Sequence, residues 1–209
     1  GMTNLDISAI GGPCLAAGLA NRVQSGVVVA SKKLETAKML KNMLTTSYYR
    51  VSVSLDINGV EVCAAIKNIF AMAIGAAPGI NQSKKNDNIY LNTSAALIRQ
   101  SIYEMEIFVE FLKGKKETVN GLAGLGDLYV SAAGGRNSKM GALIGDGIIF
   151  SEAKKNKMPN VTVEGAELIF EIGKKVKEDF DDKKLPLMIA MINAIIDDKK
   201  LDIKWENFN

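Results

Sequence analysis

Three short stretches near the start of the chain carry strand-type patterning. They are "ISAI" at 7–10, "SGVVVAS" at 25–31 and "YYRVSVSL" at 48–55, rich in β-branched residues, the last alternating apolar and polar positions. Between the second and third, "KLETAKMLKNML" has helical spacing. After residue 56 the pattern changes to long helices. The first holds "VCAAIKNIFAMAIGAA" at 62–77, with Asp56 or Asn58 as its N-terminal cap. "NTSAALIRQSIYEMEIFVEFLKG" at 92–114 opens on Asn92 or Thr93 and closes on Gly114. "VTVEGAELIFEIGKKVKE" and "LPLMIAMINAIIDD" give two more, the latter apolar enough to be central or to form a subunit contact. The polar stretches "NQSKKNDN" and "KKNKMPN" read as linkers, and there is no internal repeat.

Three strands ahead of a helical block make a poor independent sheet, because few short strands leave open edges. The order fits the end of a parallel nucleotide-binding sheet followed by a helical substrate domain, in a chain lacking most of the first part. The expected fold is therefore mainly α. Residues 1–56 would be the residual C-terminal part of a nucleotide-binding domain and 57–209 a helical substrate-binding domain. A glycine-rich dinucleotide fingerprint after an initial strand is absent from the sequence.

Composition narrows the chemistry. A net charge of +3 over 209 residues is too mild to argue for nucleic acid, but it leaves room for a local basic pocket for a small phosphorylated molecule. The two cysteines, Cys14 and Cys63, form no CxxC pair, so neither a disulfide framework nor a metal site is indicated, and a reducing cytoplasm is the default. With no histidine in the sequence, proton chemistry falls to Lys, Asp, Glu, Tyr or Cys. The opening residues lack the basic-then-apolar order of a signal peptide, so export is not expected. The apolar run at 62–77 is short for a membrane span and carries Lys67 near its centre, which favours burial in protein.

That lysine raises the main chemical question. A lone ammonium in an apolar helix either snorkels or is paired, or it is a functional base whose charged form the surroundings disfavour. A second stretch, "NGLAGLGDLYVSAAGGRNSKMG" at 120–141, is dense in glycine around Asp127, Arg136 and Asn137; glycine permits close backbone approach to a ligand. "GLAGLG" follows a helical segment, so as a dinucleotide signal it is weak.

Four motifs taken together resemble the NAD(P)-dependent glycerol-3-phosphate dehydrogenase family. They are "GGPCLA" at 11–16, "GVEVCAAIKN" at 59–68, "GLAGLGDL" at 121–128 with "GGRN" at 134–137, and "TVEG" at 162–165. The resemblance implies that Lys67 is the catalytic base and that Asp127, Arg136 and Asn137 are substrate ligands, with Arg136 also touching the cofactor. Gly12 and Cys14 stand where the family's glycine-proline-serine turn contacts glycerol phosphate. Cys14 replaces the usual serine, so contact there rests on the backbone. Gly135 stands at a substrate position where many bacterial members have serine, and Ala16, Thr162 and Glu164 stand at cofactor positions. The implied reaction interconverts glycerol 3-phosphate and dihydroxyacetone phosphate with NAD or NADP, without a metal. It belongs to glycerol-3-phosphate metabolism and phospholipid biosynthesis in the cytoplasm. The chain alone is expected to be inactive, to need a separate nucleotide-binding domain and to form a homo-oligomer. A non-catalytic helical module derived from the enzyme and a related hydroxyacid-type dehydrogenase domain are the alternatives.

Overall fold

The computed structural model describes residues 5–82 and 90–209. They fall into two compact units interleaved along the chain: Gly1–Ala65 with Met105–Tyr129, and Ile66–Glu104 with Val130–Asn209.

The first unit opens with β1 (Ser8–Gly11), α1 (Ala16–Ala20), β2 (Ser25–Ser31), α2 (Leu34–Leu44) and β3 (Tyr49–Ser54). The strands lie in the order β1-β2-β3, and the sheet is mixed where a parallel one was expected. β1 runs antiparallel to β2 with Ser8 opposite Ser31, while β3 runs parallel with Tyr49 opposite Ser25. Parallel neighbours need a crossover, which α2 supplies; β1 reaches β2 through a single short helix and a turn, and the chain doubles back. Val27 and Val29 of β2, Val51 of β3 and Ala37 of α2 form the buried centre, with Leu40, Leu44, Cys14, Tyr49 and Val53 packed around them.

Of the two caps expected for α3 (Ile57–Gly75), Asp56 is the one used. Its Oδ1 accepts from the Gly59 N–H (3.0 Å), filling an orphan donor of the first turn, and Oδ2 accepts from the Lys115 N–H (2.9 Å) and Thr118 Oγ1 (2.6 Å). One buried carboxylate thus ties the start of α3 to the corner that opens α6 (Lys116–Val119). The helix before that corner, α5 (Leu91–Phe111), ends with Lys113, rather than glycine, in the left-handed position (φ 66°). Gly114 is required for another reason: a Cβ there would stand 2.7 Å from Gly59 Cα. A π-helical turn (Leu122–Gly126) then leads into α7 (Asp127–Ala132).

The second unit holds the rest of α3, α4 (Ala77–Ile80), α5 as far as Glu104, α8 (Arg136–Gly145), α9 (Phe150–Asn156), α10 (Glu164–Asp179) and α11 (Pro186–Ile196). α8 lies against α3 backbone to backbone. A Cβ on Gly141 would sit 2.0 Å from Met72 O, and one on Gly75 would sit 2.4 Å from Ser138 O. α11 is buried along nearly its whole length, which fits the central placement of the two that its apolarity allows. Its N-terminal donors are all accounted for. Pro186 has none, Ile189 donates to Leu185 O, and the Leu187 and Met188 N–H groups both donate (2.7 Å each) to the carboxylate of Glu104, a fully buried residue of α5. Gln100 Nε2 donates to the same carboxylate (2.9 Å).

Ile57–Ile80 is long and apolar enough to cross a membrane, but 67% of its most apolar window is buried inside the protein, which gives the apolarity a packing role. Two further expectations need correction. α5 begins at Leu91, so neither Asn92 nor Thr93 caps it, and Thr93 Oγ1 instead accepts from Asn81 Nδ2 (2.9 Å). "KKNKMPN" is only partly a linker: its first three residues end α9, and Lys154 Nζ caps the turn that follows by donating to Met158 O and Val161 O. "NQSKKNDN" lies outside the described residues from position 83 on.

Candidate functional site

In the second unit the polar residues gather where α3, α8 and α10 meet. Asn137, 7% exposed, is their hub. Its Nδ2 donates to Asn68 Oδ1 (3.1 Å) and to Glu164 Oε2 (3.3 Å), and its Oδ1 accepts from the Gly165 N–H (2.9 Å). Both amide hydrogens are therefore engaged within the protein. The approach is close because Gly165 has no side chain: a Cβ there would stand 2.6 Å from Asn68 O.

Arg136 opens α8 and its guanidinium pairs with the Glu164 carboxylate, the first residue of α10. The Arg136 side chain is 56% exposed, so the pair is open to a solute. Gly135 precedes it at φ 110°, a left-handed conformation that disfavours side chains, and it offers no side-chain cap. A Cβ on Gly134 or Gly135 would meet no atom within 4 Å, so the space before α8 is open. The first N–H groups of this ten-residue helix leave donors and the positive end of the helix dipole beside Arg136. Thr162 is exposed in the segment leading into α10.

Lys67 is adjacent in sequence to Asn68 and so stands next to this hub. It is half-buried and not enclosed on every side: Ile66, Ile69 and Phe70 of the same helix are buried, whereas Glu61 and Ala65 are exposed. The apolar run in the sequence hides an open stripe on the first half of α3.

In the first unit, Gly12 (φ 136°) follows β1 directly, and a Cβ there would sit 3.0 Å from Val27 Cα. Cys14 packs with the sheet core beside Tyr49, whose hydroxyl is pushed up by burial and by the neighbouring Cys14 sulfur. Ala16, the first residue of α1, is exposed. Asp127 is buried at the start of α7. Burial first, then the nearby Asp56 and Asp127 carboxylates, push the Cys63 thiol up to about 12, which leaves it protonated and inert near neutrality.

Sequence reasoning missed Asn68 and Glu104. Asn68 could have been noticed as the polar neighbour of Lys67 in an otherwise apolar run. Glu104 stands between the helix positions of Ser101 and Phe108, among residues that read as core, and a carboxylate there calls for donors.

Residues 56–204 match the family model described as NAD-dependent glycerol-3-phosphate dehydrogenase C-terminus. Among curated proteins, the chain is 35% identical over 176 residues to the NADP(+)-dependent glycerol-3-phosphate dehydrogenase of Archaeoglobus fulgidus, covering 82% of this chain and 52% of that protein. To glycerol-3-phosphate dehydrogenase [NAD(P)+] of Halothermothrix orenii it is 32% identical over 202 residues, covering 94% of this chain and 55% of that one. The crystal structure of glycerol-3-phosphate dehydrogenase from Coxiella burnetii superposes with a TM-score of 0.79 at 30% identity, over 94% of this chain and 58% of that one. The chain thus spans about half the length of the curated relatives it matches.

Proposed function

Because the chain belongs to the NAD-dependent glycerol-3-phosphate dehydrogenase C-terminal family, we propose that it is the substrate-binding and catalytic-lysine portion of an enzyme interconverting glycerol 3-phosphate and dihydroxyacetone phosphate with NAD or NADP. The observation that carries this reading is the Asn137–Asn68 hydrogen bond (3.1 Å), which ties the anion-binding start of α8 to the residue next to Lys67. A phosphate held by Arg136 and the first N–H groups of α8 brings the hydroxyl-bearing part of a three-carbon substrate into the neighbourhood of an amine. Arg136 suits a phosphate through its planar fork of donors. The neutral Lys67 amine accepts the proton of the secondary hydroxyl in the oxidising direction, and the ammonium polarises the ketone and returns the proton in the other. By the family resemblance alone, Gly12, Cys14, Asp127, Gly135 and Asn137 are also proposed as substrate contacts.

The exposed Thr162, the Arg136 guanidinium and the Glu164 carboxylate offer donors and acceptors of the kind ribose hydroxyls and a diphosphate take, so the chain's own residues fit a nicotinamide dinucleotide. When bound, that cofactor accepts or supplies the hydride. Ala16 is included as a backbone contact. The boundary after residue 56 is proposed as the end of the nucleotide-binding portion, supported by the family model's start there. A cytoplasmic location and a place in glycerophospholipid supply follow from the same reading, and free thiols at Cys14 and Cys63 suit a reducing compartment. Self-association is also proposed, supported by exposed apolar side chains along the edge strand β1.

The test is Lys67→Met in a dehydrogenase carrying this chain with its nucleotide-binding part. Turnover should fall at least about a hundredfold with the melting temperature nearly unchanged, since methionine keeps the bulk of the stem and removes the base. The chain alone should show no turnover with either cofactor. A variant that melts early but turns over normally per folded molecule would make Lys67 a strut and refute the assignment.

A further inference from the structure

We propose that Glu164 is a tethered competitor for the anion site of Arg136, and that it sets the selectivity of that site for a phosphate dianion over a carboxylate monoanion; this rests on the reading of Arg136 as the phosphate ligand. The carboxylate already pairs with the guanidinium. It is not a freely swinging side chain: Oε2 accepts from Asn137 Nδ2 (3.3 Å), and the next residue's N–H is held by Asn137 Oδ1 (2.9 Å). The pair is nevertheless reachable, with side-chain exposures of 56% for Arg136 and 36% for Glu164, and the approach past Gly134 and Gly135 is open.

An arriving anion therefore meets an arginine whose charge is balanced, with a second negative charge fixed beside it. A monoanion offers one charge and two oxygens, no more than the carboxylate already in place, and it lacks the advantage of being tethered. A phosphomonoester offers close to two charges near neutrality and three oxygens, enough to take the guanidinium and the first N–H groups of α8 together. Selectivity arises here from the penalty placed on the wrong ligand as much as from attraction of the right one.

The experiment is calorimetric titration of the 209-residue chain and its Glu164→Gln, Arg136→Gln and doubly substituted forms with glycerol 3-phosphate and with glycerate, a monoanion of similar size. Glu164→Gln should bind glycerol 3-phosphate about three- to tenfold tighter than the unsubstituted chain, the range set by a partly exposed ion pair plus relief of repulsion. It should also acquire glycerate binding, and both gains should vanish when Arg136 is Gln as well. The gain in affinity should shrink as salt is added. Glu164→Ala, held to the same outcome, serves if the glutamine form does not fold by circular dichroism. If neither Glu164 form binds tighter or loses selectivity, while Arg136→Gln abolishes glycerol 3-phosphate binding, the competitor is refuted and the phosphate site stands. If neither the unsubstituted chain nor the Glu164 forms bind glycerol 3-phosphate at millimolar concentration, both readings fall.

Discussion

Glu104→Gln perturbs a carboxylate whose partners among the described residues are all donors. The carboxylate is fully buried and accepts three hydrogen bonds, from the Leu187 and Met188 N–H groups and from Gln100 Nε2. Two effects oppose each other. Burial disfavours the charge, whereas three donors and no acceptor favour it; burial wins and pushes the carboxyl from 4.5 up to about 7. A folded-state value above the unfolded one means that the folded chain holds the proton more tightly. The contribution to stability is therefore fully present below 4.5 and is lost as pH rises through about 7. That span of about 2.5 pH units corresponds to roughly 3 kcal/mol. Glutamine stays neutral throughout, but its amide nitrogen cannot accept from the donor it faces where an oxygen stood, so a buried main-chain N–H loses its acceptor, at a cost of about 1 to 3 kcal/mol at every pH.

The two proteins should thus change places with pH. Near pH 4.5 the glutamine form should be the less stable by about 1 to 3 kcal/mol, and by pH 8 the difference should close or reverse. Urea denaturation followed by circular dichroism across that range measures the difference, and hydrogen exchange at the Leu187 and Met188 amides reads the cap directly. Asp6, Asp197 and Asp198, whose carboxyls are held low by hydrogen bonds from Lys33, Lys177 and Ser151 respectively, titrate alike in both proteins and cancel. A difference that is flat with pH would refute the argument. One that grows against the glutamine form as pH rises would show that the three donors outweigh burial.

Asp56→Ala should cost about 2 to 4 kcal/mol, since it strips an N-cap and two further bonds from one carboxylate, and Asp56→Asn should recover part of it; a shift below about 0.5 kcal/mol in urea denaturation would show that water replaces the carboxylate. Leu5, Ile7 and Ile10 are exposed by 67%, 68% and 51% beside and along the edge strand β1, and light scattering should therefore give a dimer or larger; a monomer mass at micromolar concentration would count against self-association.

The strands and α2 were legible because local pattern suffices for them. β2 occupies the residues its apolar run marks, and α2 starts one residue into its predicted span. Strand direction was not legible, since pairing depends on how far the connecting segment carries the chain and not on the strand's own residues. The short helices between 116 and 156 were hidden for a related reason. Glycines that read as loop punctuation, such as Gly141, serve instead to bring α8 within a Cβ's width of α3, and only the facing helix reveals that use.

The opposite failure attends the apolar run around Lys67. Hydropathy averages over all faces of a helix, so a stripe built from alanine and a few polar residues vanishes beneath its isoleucines and phenylalanine. The half-burial of Lys67 and Asn68 depends on what covers each face, which no window of sequence contains. The polar residues of the hub are readable one by one, yet their arrangement is not: Asn137 meets Asn68 across 69 positions and Glu164 across 27. Capping and loop chemistry explain an asparagine after an arginine equally well until those partners are in view. Once they are, the asparagine amide is fully occupied as a donor by the protein itself. A phosphate contact from Asn137, as the proposed function has it, requires the amide to exchange one of these two hydrogen bonds, to Asn68 or to Glu164.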